Sequence, residues 1–238
     1  MNQSIKKLLL ISNSTNAGEE YLRYPLPEID RFLGSVREAV FVPYAAVTFS
    51  YDEYERRVQE RLREAGIRIR SVHRASDPAE AIRSAPAVCV GGGNTFALAK
   101  KMQEQGLMEA IRTAIDAGTP YFGWSAGSNV ACPTISTTND MPIVEPRSFA
   151  AIGAVGFQIN PHYLDANPAG HAGETREQRI LEYIEANPGR WVAGLREGCM
   201  LRLEAGRLEL IGSRPMRLFR KGERPFEVQP GEDLGFLL

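Results

Sequence analysis

The stretch Pro120-Tyr121-Phe122-Gly123-Trp124-Ser125-Ala126-Gly127 joins a short apolar run to a turn crowded with small residues. Its apolar part, residues 120–124, is typical of a strand that is buried on both faces of a parallel sheet. Gly123, Ser125 and Gly127 have the G-x-S-x-G spacing of a sharp strand-to-helix turn, which exposes a serine hydroxyl at the carboxyl edge of a sheet. An ordinary Gly-Ser turn is the alternative.

Four more apolar runs precede this stretch and have the same character. Strands are predicted at residues 7–12, 39–42, 67–72 and 87–90. Helices are predicted between them, one after a capping box formed by Ser50 and Glu53 and another starting at Asp77-Pro78. This alternation predicts an α/β fold in which a mostly parallel sheet has helices on both faces.

The part of the chain after Asn129 is richer in turn residues. It contains one further predicted helix, at about residues 174–186, and a strand at residues 191–195. Two hairpins follow, residues 201–203 with 208–210 and residues 216–220 with 226–228. We expect these antiparallel strands to extend one edge of the sheet, and we expect residues 1–238 to form one domain.

Composition restricts the partners and the compartment. The 28 basic and 29 acidic residues leave a formal charge of −1, so no general field attracts nucleic acid or an anionic membrane. Cys89, Cys132 and Cys199 are odd in number and lack C-x-x-C spacing, which argues against a disulfide framework and a zinc site. The first apolar run ends by Ile11, too early for a signal peptide or a membrane span. We therefore expect a cytoplasmic protein with no nucleic-acid or membrane partner.

The serine at the sharp turn would need a base, and histidine is the usual one. Of the three histidines, His162 follows a short apolar strand and Pro161, which stiffens the exit of the chain. This fixed direction favours His162. His73 at the end of the third predicted strand and His171 in a glycine-flanked loop are the alternatives.

Two acidic residues are candidates for orienting that histidine, a task that a carboxylate does best. Glu197 directly follows the predicted strand 191–195 and precedes Gly198. Asp140 lies in a polar loop soon after the sharp turn. Alternatively, Glu197 is only a solvated acid in a turn, and Asp140 only caps its loop. Both residues remain candidates.

The glycine loop Gly91-Gly92-Gly93 follows the fourth predicted strand and opens a helix. It lacks the third glycine of G-x-G-x-x-G and the Gly-Lys of a P-loop, so nucleotide binding is weakly indicated. In such a sheet the loop approaches Ser125, and we expect the amides of Gly93 and Ala126 to form an oxyanion hole. Alternatively, these glycines only allow the chain to make a tight turn.

Together these residues resemble the peptidase E family, which is related to cyanophycinase. The matching stretches are residues 8–15, 90–96, 123–129, 132–135, 137–142, 159–163 and 170–179. The resemblance implies a fold similar to that of class I glutamine amidotransferases, with serine where those enzymes carry cysteine. It also implies that Ser125 is the nucleophile, that His162 is the base, and that Asp140 or Glu197 is the third catalytic member.

The resemblance further implies a serine dipeptidase that cleaves small peptides after an N-terminal aspartate. No metal or organic cofactor is expected, since the nucleophile and fixed donors supply the chemistry. Because a bidentate arginine is the natural partner of a carboxylate, we expect Arg176 to bind the aspartate side chain, with Asn94 also in contact with substrate. Alternatively, Arg176 merely begins the charged face of a helix. The sequence leaves open whether the protein forms a homodimer.

Two other functions are compatible with the motifs. An α/β-hydrolase esterase would use the order Ser125, Asp140, His162, although that spacing is crowded. A noncatalytic relative would hold a small anion with the glycine loop.

Overall fold

The strands of the chain form two sheets. The computed structural model describes residues 6–166, 170 and 172–238. The strands are β1 (Leu8–Ile11), β2 (Glu38–Val42), β3 (Arg68–Ser71), β4 (Val88–Val90), β5 (Tyr121–Trp124), β6 (Gln158–Tyr163), β7 (Val192–Arg196), β8 (Met200–Glu204), β9 (Arg207–Ile211), β10 (Met216–Phe219) and β11 (Phe226–Val228).

The larger sheet has seven strands in the order β3-β2-β4-β5-β1-β8-β9. The five strands from β3 to β1 are parallel, whereas β8 and β9 are antiparallel and continue the sheet beyond β1. The predicted mostly parallel sheet is thus confirmed, and the β8–β9 hairpin extends its edge as expected. All residues of β1, β4 and β5 are buried, which accounts for their continuous apolar runs.

Helices cover both faces of the larger sheet. They are α1 (Leu26–Leu33), α2 (Tyr51–Arg63), α3 (Pro78–Arg83), α4 (Thr95–Glu104), α5 (Leu107–Asp116) and α6 (Ala126–Asn129). Helix α7 (Arg176–Ala186) packs against the other sheet through Ile180 and Ile184. Successive residues of β5 serve the two faces: Tyr121 packs in the core cluster of α3, α4 and α5, and Phe122 in that of α1 and α2. The predicted caps start their helices, since Ser50 accepts from the Glu53 amide and Asp77 from the Glu80 amide.

The smaller sheet has the order β11-β10-β7-β6, with β6 and β7 parallel to each other. The second hairpin, β10–β11, was expected at the edge of the larger sheet but pairs with β7 instead. That pairing buries Met216 and Leu218 completely, against residues of β7 such as Ala193. The smaller sheet brings the ends of β6 and β7 next to the carboxyl end of β1.

Two further observations concern the expected compartment. Cys89, Cys132 and Cys199 are free thiols, and all are buried. In the described part of the chain, every helix is too short or too polar to cross a lipid bilayer.

Candidate active site

Ser125 lies between β5 and α6 with φ 53° and ψ −114°. The turn around it is so tight that a Cβ on Gly127 would lie 2.2 Å from the carbonyl oxygen of Val90. A Cβ on Gly123 would lie 2.8 Å from the backbone of Gly127. The G-x-S-x-G spacing therefore has a steric cause here, because a side chain at position 127 would collide with β4 and one at position 123 with the backbone of Gly127.

His162 interrupts the regular pairing of β6. It has φ 54°, and the register with β7 shifts between Pro161 and Tyr163. The amide of His162 donates to Ser12 Oγ at 3.0 Å, and that hydroxyl donates to the carbonyl of Leu195 at 2.7 Å. Contacts from both sheets thus fix the direction in which the imidazole leaves its strand.

The imidazole of His162 joins a hydroxyl to a carboxylate. Nε2 lies 3.0 Å from Ser125 Oγ, and Nδ1 lies 2.7 Å from Glu197 Oε1. Glu197 follows β7, the neighbour of β6, so adjacent strands carry the acid and the base. In such an arrangement a ring nitrogen can accept the hydroxyl proton while the carboxylate stabilises the imidazolium.

Asp140 has a different set of partners. Its Oδ2 accepts from the amide of Thr95 at 2.7 Å, at the first residue of α4, and from the Thr138 hydroxyl at 3.1 Å. Asn94 caps the same helix and donates to the carbonyl of Met141 at 2.9 Å. Asn94 and Asp140 together fasten the loop after Thr138 to the start of α4.

Gly93 lies in the turn between β4 and α4 with φ 134°, where a Cβ would be 2.3 Å from the carbonyl oxygen of Ala45. A Cβ on the neighbouring Gly92 would lie 3.0 Å from that of Ser125, so the glycine loop does approach the serine. In the described part of the chain, the amides of Gly93 and Ala126 have no acceptor. Two free donors are therefore available beside the hydroxyl.

Ser125, His162 and Asp140 share a cavity of about 380 Å³. Its size is in the range of small-molecule sites. Arg57 and Tyr21 also line it, and sequence reasoning missed both. Arg57 lies on the charged face of α2 and Tyr21 in a loop without a motif, so no local signal marked either residue.

Arg176, the residue expected to bind a carboxylate, begins α7 and is half-buried. Within the described residues its guanidinium has no hydrogen bond and no ion pair. Burial lowers the pKa of Arg176, and the charge of Arg179 lowers it further, whereas nearby Asp140 raises it. Arg176 thus lies within electrostatic reach of the cavity wall that Asp140 forms.

The other two histidines do not join this group. His73 contacts Ser71 at 2.6 Å and Asp52 at 2.8 Å, on the strand β3 side of the molecule. His171 lies outside the described residues.

Asp52, Glu55 and His73 could in principle hold a cation, since their ligand-type atoms lie within 4.8 Å of one another. Arg74 already approaches the two carboxylates, at 2.6 Å from Asp52 and 2.7 Å from Glu55. A guanidinium therefore balances the acidic charge of this cluster.

The sequence and the fold of the whole chain are similar to those of known peptidases. Residues 8–211 match the model described as peptidase family S51. The chain is 50% identical over 234 residues to Peptidase E of Nostoc sp., covering 98% of this chain and 97% of that protein. It is also 50% identical over 232 residues to Peptidase E of Streptomyces coelicolor, covering 97% and 94%. The crystal structure of a peptidase from an acI-B1 actinobacterium superposes with a TM-score of 0.70 at 17% identity over 98% of each chain, so it shares the fold.

Proposed function

The chain belongs to peptidase family S51, and we propose that it is a serine dipeptidase that hydrolyses the bond after an N-terminal aspartate. The observation that carries the proposal is the contact chain from Glu197 through His162 to Ser125. Family membership does not favour an esterase or a noncatalytic binding protein, because the similar proteins that cover nearly the whole chain are named Peptidase E.

We assign the first chemical step to Ser125. Its hydroxyl gives its proton to Nε2 of His162 as the oxygen attacks the carbonyl carbon of the aspartyl residue. Glu197 keeps the ring in the tautomer that accepts at Nε2 and stabilises the imidazolium. We therefore assign the third catalytic role to Glu197 rather than to Asp140.

We propose that the free amides of Gly93 and Ala126 donate hydrogen bonds to the carbonyl oxygen of the substrate and stabilise the negative charge that develops on it. Each such donor is typically worth about 3 kcal/mol of barrier. His162 then protonates the departing amine, and water attacks the acyl-enzyme to release aspartate and restore the hydroxyl. Nucleophile, base and fixed donors suffice for this reaction, so we propose no metal or organic cofactor.

The substrate also brings charges that must be paired in the cavity. Asp140 lines the cavity and has no cationic partner among the described residues within 4.0 Å, so it suits the α-ammonium of the substrate. Arg176 lies near it, has no anionic partner among the residues that the structure describes, and suits the side-chain carboxylate. Asn94 holds the loop of Asp140 and directly follows Gly93, which lines the cavity, so we propose that it also contacts substrate. Three buried free thiols support a reducing, cytoplasmic location.

The test is hydrolysis of Asp-Leu, Glu-Leu, Asn-Leu and acetyl-Asp-Leu by the wild type and by Ser125→Ala. We expect rapid hydrolysis of Asp-Leu alone, and a loss of about 10⁴-fold or more in kcat for Ser125→Ala. Equal rates for the four peptides would refute the specificity. Retained activity in Ser125→Ala would refute the assigned nucleophile.

A further inference from the structure

Arg57 supplies a cation to the cavity that the steps above do not use. Its guanidinium carbon lies 4.2 Å from the centroid of the Tyr21 ring. Within the described residues it has no carboxylate partner, whereas Arg56 and Arg61 on the same helix each pair with a glutamate, at 2.8 and 2.7 Å. The stacked guanidinium is therefore free to bind an anion that enters the cavity.

The order of strands shows on which side of Ser125 the loop with Tyr21 begins. Gly93 follows β4, which flanks β5 on one side, and the loop with Tyr21 follows β1, which flanks β5 on the other. The amide of His162 binds Ser12, at the end of β1. The imidazole and the Tyr21 loop thus lie on the same side of the serine.

The two charged walls of the cavity come from opposite faces of the larger sheet. Arg57 belongs to α2, which packs with α1 on one face through residues such as Tyr54. Asp140 is bound to the first residue of α4, which packs on the other face through residues such as Leu98. A substrate whose ammonium binds Asp140 therefore has its other end free to reach Arg57.

The chemistry indicates which end that is. The departing amine must face Nε2 of His162, which gives it a proton. In a dipeptide, the residue that departs ends in a carboxylate only two bonds beyond that nitrogen. We propose that Arg57 binds this free C-terminal carboxylate and so makes the enzyme selective for dipeptides over amidated or longer peptides. The inference rests on the proposed function and adds the recognition of the second residue.

The surroundings hold the guanidinium ready for this contact. The Tyr21 hydroxyl donates to that of Tyr54 at 3.3 Å, and Tyr54 donates to the carbonyl of Gly92 at 2.8 Å. Burial raises the pKa of both tyrosines, so their hydroxyls stay protonated and keep these bonds. The Tyr21 ring on which Arg57 stacks is thereby tied to the glycine loop beside Ser125.

The test compares Asp-Leu with Asp-Leu-amide in the wild type, in Arg57→Gln and in the matched control Arg56→Gln. We expect Arg57→Gln to lower kcat/KM for Asp-Leu about tenfold, mainly through KM, and to leave the amide unchanged. Arg56→Gln should leave both rates unchanged, since its partner is an exposed glutamate outside the cavity. An equal loss on both substrates in Arg57→Gln would overturn the inference.

A second comparison separates the two carboxylates of the substrate. Arg57→Gln should keep the preference of the wild type for Asp-Leu over Asn-Leu, whereas Arg176→Gln should reduce it. A reduced preference in Arg57→Gln would show that Arg57 binds the aspartate side chain and would overturn the inference. Hydrolysis of Asp-Leu-amide by the wild type reports the proposed function separately, because that substrate has no C-terminal carboxylate.

Discussion

Ser125 and His162 have positive φ angles of 53° and 54°, a region that residues other than glycine rarely adopt. Each such residue costs on the order of 1–3 kcal/mol, and it persists only where its surroundings hold it. Residues at the end of β1 hold both of them in place. The amide of Ser125 donates to the carbonyl of Ile11, and the amide of His162 donates to Ser12 Oγ, each at 3.0 Å. Both residues assigned to proton transfer thus have a strained backbone, as do Leu22 and Ala205 elsewhere in the chain.

The two acids of the site should respond differently to loss of charge. Glu197→Gln should lower kcat on Asp-Leu by about 10²–10⁴-fold with little change in KM, because the imidazolium loses its stabilising carboxylate. Asp140→Asn should mainly raise KM, because the substrate ammonium loses its partner. Steady-state kinetics of both variants check this, and the reverse pattern would assign the third catalytic role to Asp140.

The sequence made Ser125 a candidate nucleophile through a local motif, and it made His162 the favoured base among three histidines. It left Glu197 and Asp140 open, because each lies in a turn after a predicted element and only the pairing of β6 with β7 brings Glu197 to Nδ1. Arg57 could not be predicted, since its stacking partner Tyr21 is far away in sequence and no pattern joins them.

At the scale of elements, the turn between β5 and α6 limits which residues can follow the serine. Gly127→Ala should destabilise the protein by more than about 3 kcal/mol, because the added methyl meets backbone that cannot move aside cheaply. Gly156→Ala is the control, since its added Cβ would lie 4.0 Å from the nearest atom, Leu237 O. Urea unfolding measures both, and similar stabilities for the two variants would contradict this account of the turn.

The inner strands β1, β4 and β5 of the larger sheet were predictable because burial on both faces leaves continuous apolar runs. The existence of β7, β10 and β11 was also predictable from short apolar runs between turns. It was not predictable that these strands form a second sheet. Strands β7 and β10 pair residues 192–194 with residues 217–219, and the local pattern of apolar residues does not show which strands pair.

At the scale of the whole molecule, a network of charged side chains links the smaller sheet to the segment after β6. The Arg196 side chain is only 5% exposed and pairs with Asp165 and Glu227. Arg217 joins Glu227 to Glu177 on α7, at 3.0 and 2.8 Å. Arg196 thus points away from its neighbour in sequence, Glu197, and leaves that carboxylate to the histidine.

This network predicts how stability depends on pH. The hydrogen bond from Arg196 lowers the pKa of Glu227 below its ordinary value of 4.5. A lowered folded-state pKa stabilises the fold above the ordinary value, and this contribution is lost as the pH falls through the folded-state pKa. Glu227→Gln should therefore lower the free energy of unfolding by about 1–2 kcal/mol at neutral pH, since a buried guanidinium loses a charged partner.

The loss caused by Glu227→Gln should shrink as the pH falls below the ordinary glutamate value of 4.5, because the wild type then loses the same charge. Urea unfolding at neutral and acid pH measures it. Glu223→Gln is the matched control: its carboxylate is exposed and pairs with Arg220 at 3.3 Å, so its effect should stay below about 0.5 kcal/mol. A difference between Glu227→Gln and the wild type that stays constant across this pH range would mean that packing, rather than the charge on Glu227, holds the smaller sheet in place.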